Sequence, residues 1–319
     1  MESEFSLIAR YFERPCHDAD VIAGIGDDAA ILAVPADKRL VVTTDTLIAG
    51  VHFPHDTLPA DIGYKTLAVS LSDIAAMGAV PRWATLSITL PEVNTVWLSA
   101  FTDGLFSLAD QYNVRLVGGD TTRGQVVSIT LQLMGLVSEN QVLRRSGAQV
   151  GDYLYVSGCL GDAGLALAAL SGTVTLSEKD REEVMVMLNR PSPRVHLGQQ
   201  LCGIASAAID ISDGLCADLQ HLLSASHVGA VLDLAKLPLS LSMKQYIQQQ
   251  QSWHFPLAAG DDYELCFTVP EERQNELSRT LGKTVYCIGR IVQSDGIQLR
   301  LPEGGYVMYK GSGGYNHFS

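Results

Sequence analysis

The sequence predicts an α+β protein built from two mixed-sheet α/β domains. Segments with strand and helix periodicity alternate along its 319 residues. Some neighbouring strand-like segments have no helix between them, and a purely parallel sheet needs one at every crossover. Residues 138–151, SENQVLRRSGAQVG, are polar and glycine-punctuated and mark a boundary between a domain over 1–138 and another over 150–319.

The elements follow in order. FSLIARYF sets Phe5, Ile8 and Phe12 at helical spacing, and GDDAAILAV and RLVVTTDTLI are β-rich. Residues 59–79 read as one helix, with Pro59 near its start, apolar Ile62, Leu67, Val69 and Ile74, and Gly78 as its stop. A strand (RWATLSITL), a helix (VWLSAFTDGLFSLADQY), a strand (VRLVGG) and a long strand (VVSITLQLMGLV) complete the first domain. The second holds the strand DYLYVSG, a helix from Gly161, another after Pro191 and Pro193, and a strand-to-helix turn at AIDISDGL. Strand-like VGAVLDL and DYELCFTV, the helix EERQNELSRTL, and strands TVYCIGRIV and IQLRL follow.

Composition narrows the class of function. Apolar residues make up 47% and charged residues 18%, which suits a sizeable core and no long disordered tail. No run of about 18 uncharged apolar residues is present, so no membrane span is expected. The N-terminus MESEFSLIARYFERP carries acids where a secretory signal carries bases. The 6 cysteines are scattered, without a CxxC pair, and the expectation is a cytoplasmic protein with reduced thiols. A formal charge of −13 repels nucleic acid and anionic membrane, so neither is expected as a partner.

GIGDDA fits the GxGxxA dinucleotide pattern, but an apolar strand-like run follows it and two carboxylates sit where a pyrophosphate would approach. No GxxxxGK[ST] phosphate loop and no GxSxG elbow occurs. The informative signal is acidic. GDD (Asp27, Asp28), TTD (Thr43, Thr44, Asp45), SD (Ser72, Asp73), GGD (Gly118, Gly119, Asp120) and DISD (Asp210, Ser212, Asp213) each stand at or near the end of an apolar segment. Oxygen donors of this kind suit hard divalent cations, and carboxylates gathered without a cation repel one another. Taken singly, each Asp also reads as a turn former or helix cap, Asp213 before GLCADL in particular. Asp73 resists that reading, because an acid late in a helix opposes the helix dipole.

His52 and His55 are three apart in GVHFPHD, but a proline separates them and no Cys is near, which argues against zinc. Arg144 and Arg145 read either as a solvated linker or as a phosphate clamp. The terminal GSGGYNHF reads either as a frayed tail or as a lid that lays Tyr315 on a flat ring.

In this order, GDDAA, TTDTLIAGVHF, SDIAAMGA with PRWATLSITLP, GGDTTRG, VSGCLGDAGLAL, DISDGLCADL and GDDYELCFTVPEE resemble the thiamine-monophosphate kinase family, over nearly the whole chain. That family belongs to a superfamily with aminoimidazole-ribonucleotide synthetase and selenophosphate synthetase, which use ATP without a phosphate loop. The resemblance implies a homodimer whose N-terminal domains pair into a β-barrel. It also implies direct in-line transfer from ATP to thiamine monophosphate, assisted by several Mg²⁺ ions and without a general base.

By matching position, Asp28, Thr43, Thr44, Asp45, Asp73, Asp120, Asp210 and Asp213 are implied as Mg²⁺ ligands, with Asp73, Asp120 and Asp213 catalytic through bound Mg²⁺. Gly119, Asp120, Arg145 and Ser212 are implied ATP contacts, and His52, Asp261 and Tyr315 contacts to thiamine monophosphate. The chain departs from the family where AAGDDYEL replaces GGEDYEL, putting Asp261 in place of Glu, and where Tyr315 replaces the usual Trp. Two other readings stay open at this point: another member of the superfamily acting on a different acceptor, and a non-catalytic Mg–nucleotide sensor. Selenide activation is disfavoured, since no N-terminal Cys or Lys stands in a glycine-rich loop.

Overall fold

The computed structural model describes residues 4–14, 18–311 and 314. The chain divides into two compact units, Met1–Ile74 with Ala79–Glu139, and Ala75–Gly78 with Asn140–Ser319.

The first unit begins with α1 (Glu4–Leu7), which passes into a π-helical turn at Ile8–Phe12 in place of the single regular helix expected there. The short strands β1 (Val21–Ala23) and β2 (Ile31–Leu32) pair antiparallel. They are followed by β3 (Lys38–Ile48), α2 (Pro59–Ala76), β4 (Val80–Leu90), α3 (Thr95–Tyr112), β5 (Arg115–Arg123) and β6 (Ser128–Ser138). The larger sheet has the order β3-β6-β4-β5, with β4 and β5 parallel and the other pairs antiparallel. The sequence reading ended β5 at Gly119, but the strand runs on through Asp120 to Arg123, because Thr121 and Thr122 continue its pairing with Ile88 and Thr89 of β4. TTD likewise does not end a strand, since Asp45 lies inside β3. Asp27 and Asp28 lie between β1 and β2, so they close no strand.

Helices α2 and α3 touch backbone to backbone. A Cβ added to Gly63 would lie 1.9 Å from the Phe101 carbonyl oxygen, and one added to Gly104 would lie 1.9 Å from that of Ala60. Glycine in mid-helix costs about 1 kcal/mol relative to alanine, and here it permits an approach that no side chain allows. The buried faces of these helices carry Leu67, Leu71, Ile74, Phe101 and Leu105.

The second unit contains β7 (Tyr153–Val156), α4 (Asp162–Leu170), α5 (Glu178–Asn189), α6 (Val195–Leu201), β8 (Ala207–Asp210), α7 (Leu215–Ser226) and β9 (Gly229–Asp233). It continues with α8 (Leu241–Gln250), α9 (His254–Ala258), β10 (Leu265–Val269), α10 (Gln274–Leu281), β11 (Tyr286–Val292), β12 (Ile297–Arg300) and β13 (Tyr306–Met308). Among the described residues these strands form a seven-stranded sheet in the order β13-β12-β9-β11-β7-β10-β8, where only β9 and β12 run parallel. Leu154, Ile209, Leu219, Leu223 and Leu232 belong to one apolar cluster, and Leu165, Val184, Leu188 and Met243 to a smaller one.

Four of these elements escape the periodicity. In α5 only Val184 and Leu188 are buried, a stripe one turn long in a charged segment. Helix α8 is glutamine-rich and buries only Ser242 and Met243, α9 has five residues, and β13 is exposed at all three positions. Among the described residues no helix is long and apolar enough to cross a bilayer.

The α2–α3 contact makes a direct prediction. Gly63→Ala and Gly104→Ala raise helix propensity, yet overpacking outweighs it and each variant loses about 1–3 kcal/mol in urea unfolding. A stabilised variant would show that the helices separate freely.

Candidate functional site

In the first unit the site is built where β3 meets α2. Alternation along β3 turns Val41, Thr43, Asp45 and Leu47 inward and leaves Leu40, Val42, Thr44 and Thr46 exposed. On α2, Ser70 and Asp73 are three apart and so share a face. The two pairs cross-bond. Thr43 Oγ1 donates to Asp73 Oδ2, and Ser70 Oγ donates to Asp45 Oδ2 at 2.5 Å. Burial pushes the Asp45 carboxyl up to about 6, the neighbouring charge of Asp73 adds to the shift, and the Ser70 bond opposes it. Ser70, with no side-chain exposure to speak of, is the partner that sequence reasoning missed. The visible signal was a hydroxyl three residues before an acid in an apolar helix.

Other candidates of this unit stand elsewhere. Asp28 is exposed, and its N–H donates to Asp27 Oδ1 at 2.9 Å. In the sheet register Asp45, Leu131, Leu86 and Gly119 form one row, while Thr46, Thr130, Ser87 and exposed Asp120 form the next. Adjacent rows point to opposite faces, so the fold does not bring Asp120 and exposed Thr44 onto the face of Asp45. Gly119 has a reason of its own to be glycine. Its φ is +156°, and a Cβ there would lie 1.9 Å from the Leu86 carbonyl oxygen. His52 is half-buried, and its Nδ1 accepts the Ile48 N–H at 3.0 Å, which leaves the proton of the neutral ring on Nε2.

In the second unit Asp210 is the last residue of β8 and is buried, while Ser212 and Asp213 are half-buried in the loop that follows. Helix α7 has Gly214, not Asp213, as its N-cap. Asp218, one turn into the helix and buried, reaches back. Its Oδ2 accepts the N–H of Asp213 at 2.9 Å and of Gly214 at 3.1 Å, and the Ser212 amide also bonds to it. Burial pushes the Asp218 carboxyl up to about 7 against the pull of those amides.

The segment 260–264 runs beside this loop. The Asp261 N–H donates to the Ser212 carbonyl at 2.9 Å and the Tyr263 N–H to that of Ile211 at 2.8 Å. Asp261 and Tyr263 have φ of +68° and +50°, conformations that cost a side-chain-bearing residue about 1–3 kcal/mol each. Tyr263 Oη donates to Asp261 Oδ1 at 3.0 Å. The Gly161 N–H, at the start of α4, donates to both carboxylate oxygens of Asp262, at 2.9 and 3.0 Å, and burial pushes the Asp262 carboxyl well up. Glu264, buried, accepts from Arg194 Nε at 2.7 Å and Nη2, and from Ser157 Oγ. Arg144 and Arg145 are exposed, and Tyr315 lies outside the described residues.

Among the described residues no three His, Cys, Asp or Glu side chains already converge as a metal site. The donor set nevertheless fits a hard divalent cation. Asp45 and Asp73 are anionic oxygen donors held close enough for one to raise the proton affinity of the other, a repulsion that a cation between them relieves.

Residues 26–137 match the N-terminal domain of AIR synthase related proteins, and residues 149–302 match their C-terminal domain. The chain is a member of this class of two-domain proteins. It is 46% identical to the thiamine-monophosphate kinase of Salmonella typhimurium, over 99% of this chain and 98% of that one. The crystal structure of thiamine-monophosphate kinase from Stenotrophomonas maltophilia K279a superposes with a TM-score of 0.82 at 46% identity, covering 89% of this chain and 92% of that one. A structure described as AaThiL complexed with AMPPCP and TMP superposes with a TM-score of 0.79 at 31% identity, covering 90% and 89%. Within its class, the chain belongs to the thiamine-monophosphate kinase family.

The shift at Asp45 has a consequence for stability. Folding raises its pKa from 3.8 to about 6, so the folded state binds the proton more tightly and this group's contribution is fully present below about pH 4 and lost as pH rises through 6. In chelator-containing buffer Asp45→Asn therefore melts higher than the parent at about pH 7.5, by a margin that shrinks at about pH 4.5. Melting curves at the two pH values check this, and a parent that melts higher at the upper pH refutes it.

Proposed function

We propose that this chain transfers the terminal phosphoryl group of ATP directly to the phosphate of thiamine monophosphate, giving ADP and thiamine diphosphate. The observation that carries the reading is the likeness, over nearly the whole chain, to thiamine-monophosphate kinases, one superposing structure being described as complexed with AMPPCP and TMP. The acidic sites of the chain fit it, because two anionic reactants meet only where their charge is neutralised.

In this reading Asp28, Thr43, Thr44, Asp45, Asp73, Asp120, Asp210 and Asp213 hold Mg²⁺ through oxygen. Bound Mg²⁺ supplies neutralisation of charge on the phosphoryl oxygens. Thr43 and Ser70 keep Asp73 and Asp45 in fixed rotamers by donating to them. Gly119, Arg145 and Ser212 contact ATP; His52, Asp261 and Tyr315 contact thiamine monophosphate, with Asp261 oriented by the Tyr263 hydroxyl. The acceptor phosphate is already ionised near neutral pH, so no side chain needs to act as general base.

The same proposal assigns 1–138 to Mg–ATP binding and dimerisation and 150–319 to further nucleotide and substrate contacts. The dimer would close a β-barrel from two copies of the four-stranded sheet. Supporting this, Leu40 and Val42 on edge strand β3 are 45% and 50% exposed on the face turned away from α2. The five described cysteines are free thiols, in keeping with work in the cytoplasm.

Purified protein given Mg²⁺, ATP and thiamine monophosphate is expected to release ADP and thiamine diphosphate in equal amounts, by phosphorus NMR, and to stop on addition of chelator. Asp73→Asn lowers kcat by on the order of a hundredfold or more. ATP binding without any product would favour a nucleotide sensor, and product from another acceptor a different member of the class. Sedimentation of a Leu40→Lys/Val42→Lys variant as a monomer, against a dimeric parent, tests the barrel.

A further inference from the structure

We infer that Asp218 is a positioning residue, one that holds Ser212 and Asp213 in binding geometry before any ligand arrives. The inference rests on the reading of Asp213 as a Mg²⁺ ligand and adds a residue to it. Three amides converge on one buried carboxylate: those of Ser212, Asp213 and Gly214. A carboxylate 4% exposed is costly unless its oxygens are satisfied, so the helix and the loop depend on each other.

The loop is confined from its other sides by backbone. Gly214, at φ +119°, leaves no room for a Cβ, which would lie 2.8 Å from the Ala258 carbonyl carbon. A Cβ on Gly260 would lie 2.3 Å from the Ser212 carbonyl oxygen, which also accepts the Asp261 N–H. With the carbonyls of Ile211 and Ser212 bonded to 261–263 and the amides of 212–214 bonded to Asp218, the backbone between β8 and α7 has few ways to move. Asp218 thus spends its charge on the backbone that carries Ser212 and Asp213.

Asp218→Asn keeps the shape and one acceptor oxygen but removes the negative charge to which the amides bond. Binding of Mn²⁺ in the presence of AMPPCP, followed by electron paramagnetic resonance, reads the effect without turnover. The expected result is a loss of about 10–100-fold in Mn²⁺ affinity for Asp218→Asn. The same substitution placed on Asp213→Asn costs less than in the parent, because the part of its effect that runs through Asp213 is already gone. Parent-like affinity in Asp218→Asn, or an equal loss in both backgrounds, overturns the proposal. If Asp213→Asn alone binds Mn²⁺ as the parent does, the metal reading of Asp213 fails and the positioning role falls with it. Should Asp218→Asn not fold, hydrogen exchange in the metal-free parent decides. Protected amides at Ser212, Asp213 and Gly214 support the role, and exchange at the free-peptide rate overturns it.

Discussion

Asp45 and Asp73 are held where a charge is expensive and a like charge is near, and the arrangement of the first unit follows from keeping them there. The cross-bonding by Thr43 and Ser70 requires β3 to present its odd-numbered residues to α2, and α2 to present the face of Ser70 and Asp73 to β3. A slip of one residue in β3 would put Leu40 and Val42 against the helix and turn Thr43 and Asp45 outward. The glycine contact between α2 and α3 fixes the helix in turn, since neither can rotate without driving a side chain into a carbonyl. Stability is given up locally at Asp45, and the apolar packing around it sustains that loss.

The second unit solves a related problem with different chemistry. There, two buried carboxylates are satisfied by backbone amides: Asp218 by the amides before α7, and Asp262 by the amide that opens α4. Others take side-chain partners: Glu264 pairs with Arg194 and Ser157, Asp162 accepts from the Ser240 hydroxyl, and Asp152 from that of Ser206. The acids divide into two kinds. Those bonded to amides shape loops, and Asp45 and Asp73 stand side by side at the contact of β3 with α2. The excess of acid over base in the composition is thus partly structural, and only partly a matter of solubility or binding.

Much of the fold was legible because periodicity is a direct consequence of burial. The long helices α2 and α3 carry wide apolar faces, and β4 and β6 carry the branched residues that a sheet centre selects. What escaped was thinly buried: α5 with two core residues, α8 with a glutamine-rich face, and β13 with none. The end of β5 lies beyond the expected one for a plain reason. Aspartate is a poor strand former by propensity, but pairing with β4 carries β5 past Asp120.

The sequence by itself determined the two-unit α+β plan, the absence of a glycine phosphate loop, and the set of acids worth attention, because these depend on composition and local spacing alone. Tertiary structure decided which acids share a face and which hydroxyls and amides satisfy them. It joined Asp45 to Ser70 and Thr43 to Asp73 across 25 and 30 residues, and placed Asp120 on the opposite-facing row. It also gave Asp218, five positions from Asp213, its task of holding that loop. Such facts depend on register and helix rotation, which arise only when distant segments pack and each buried charge finds its partner.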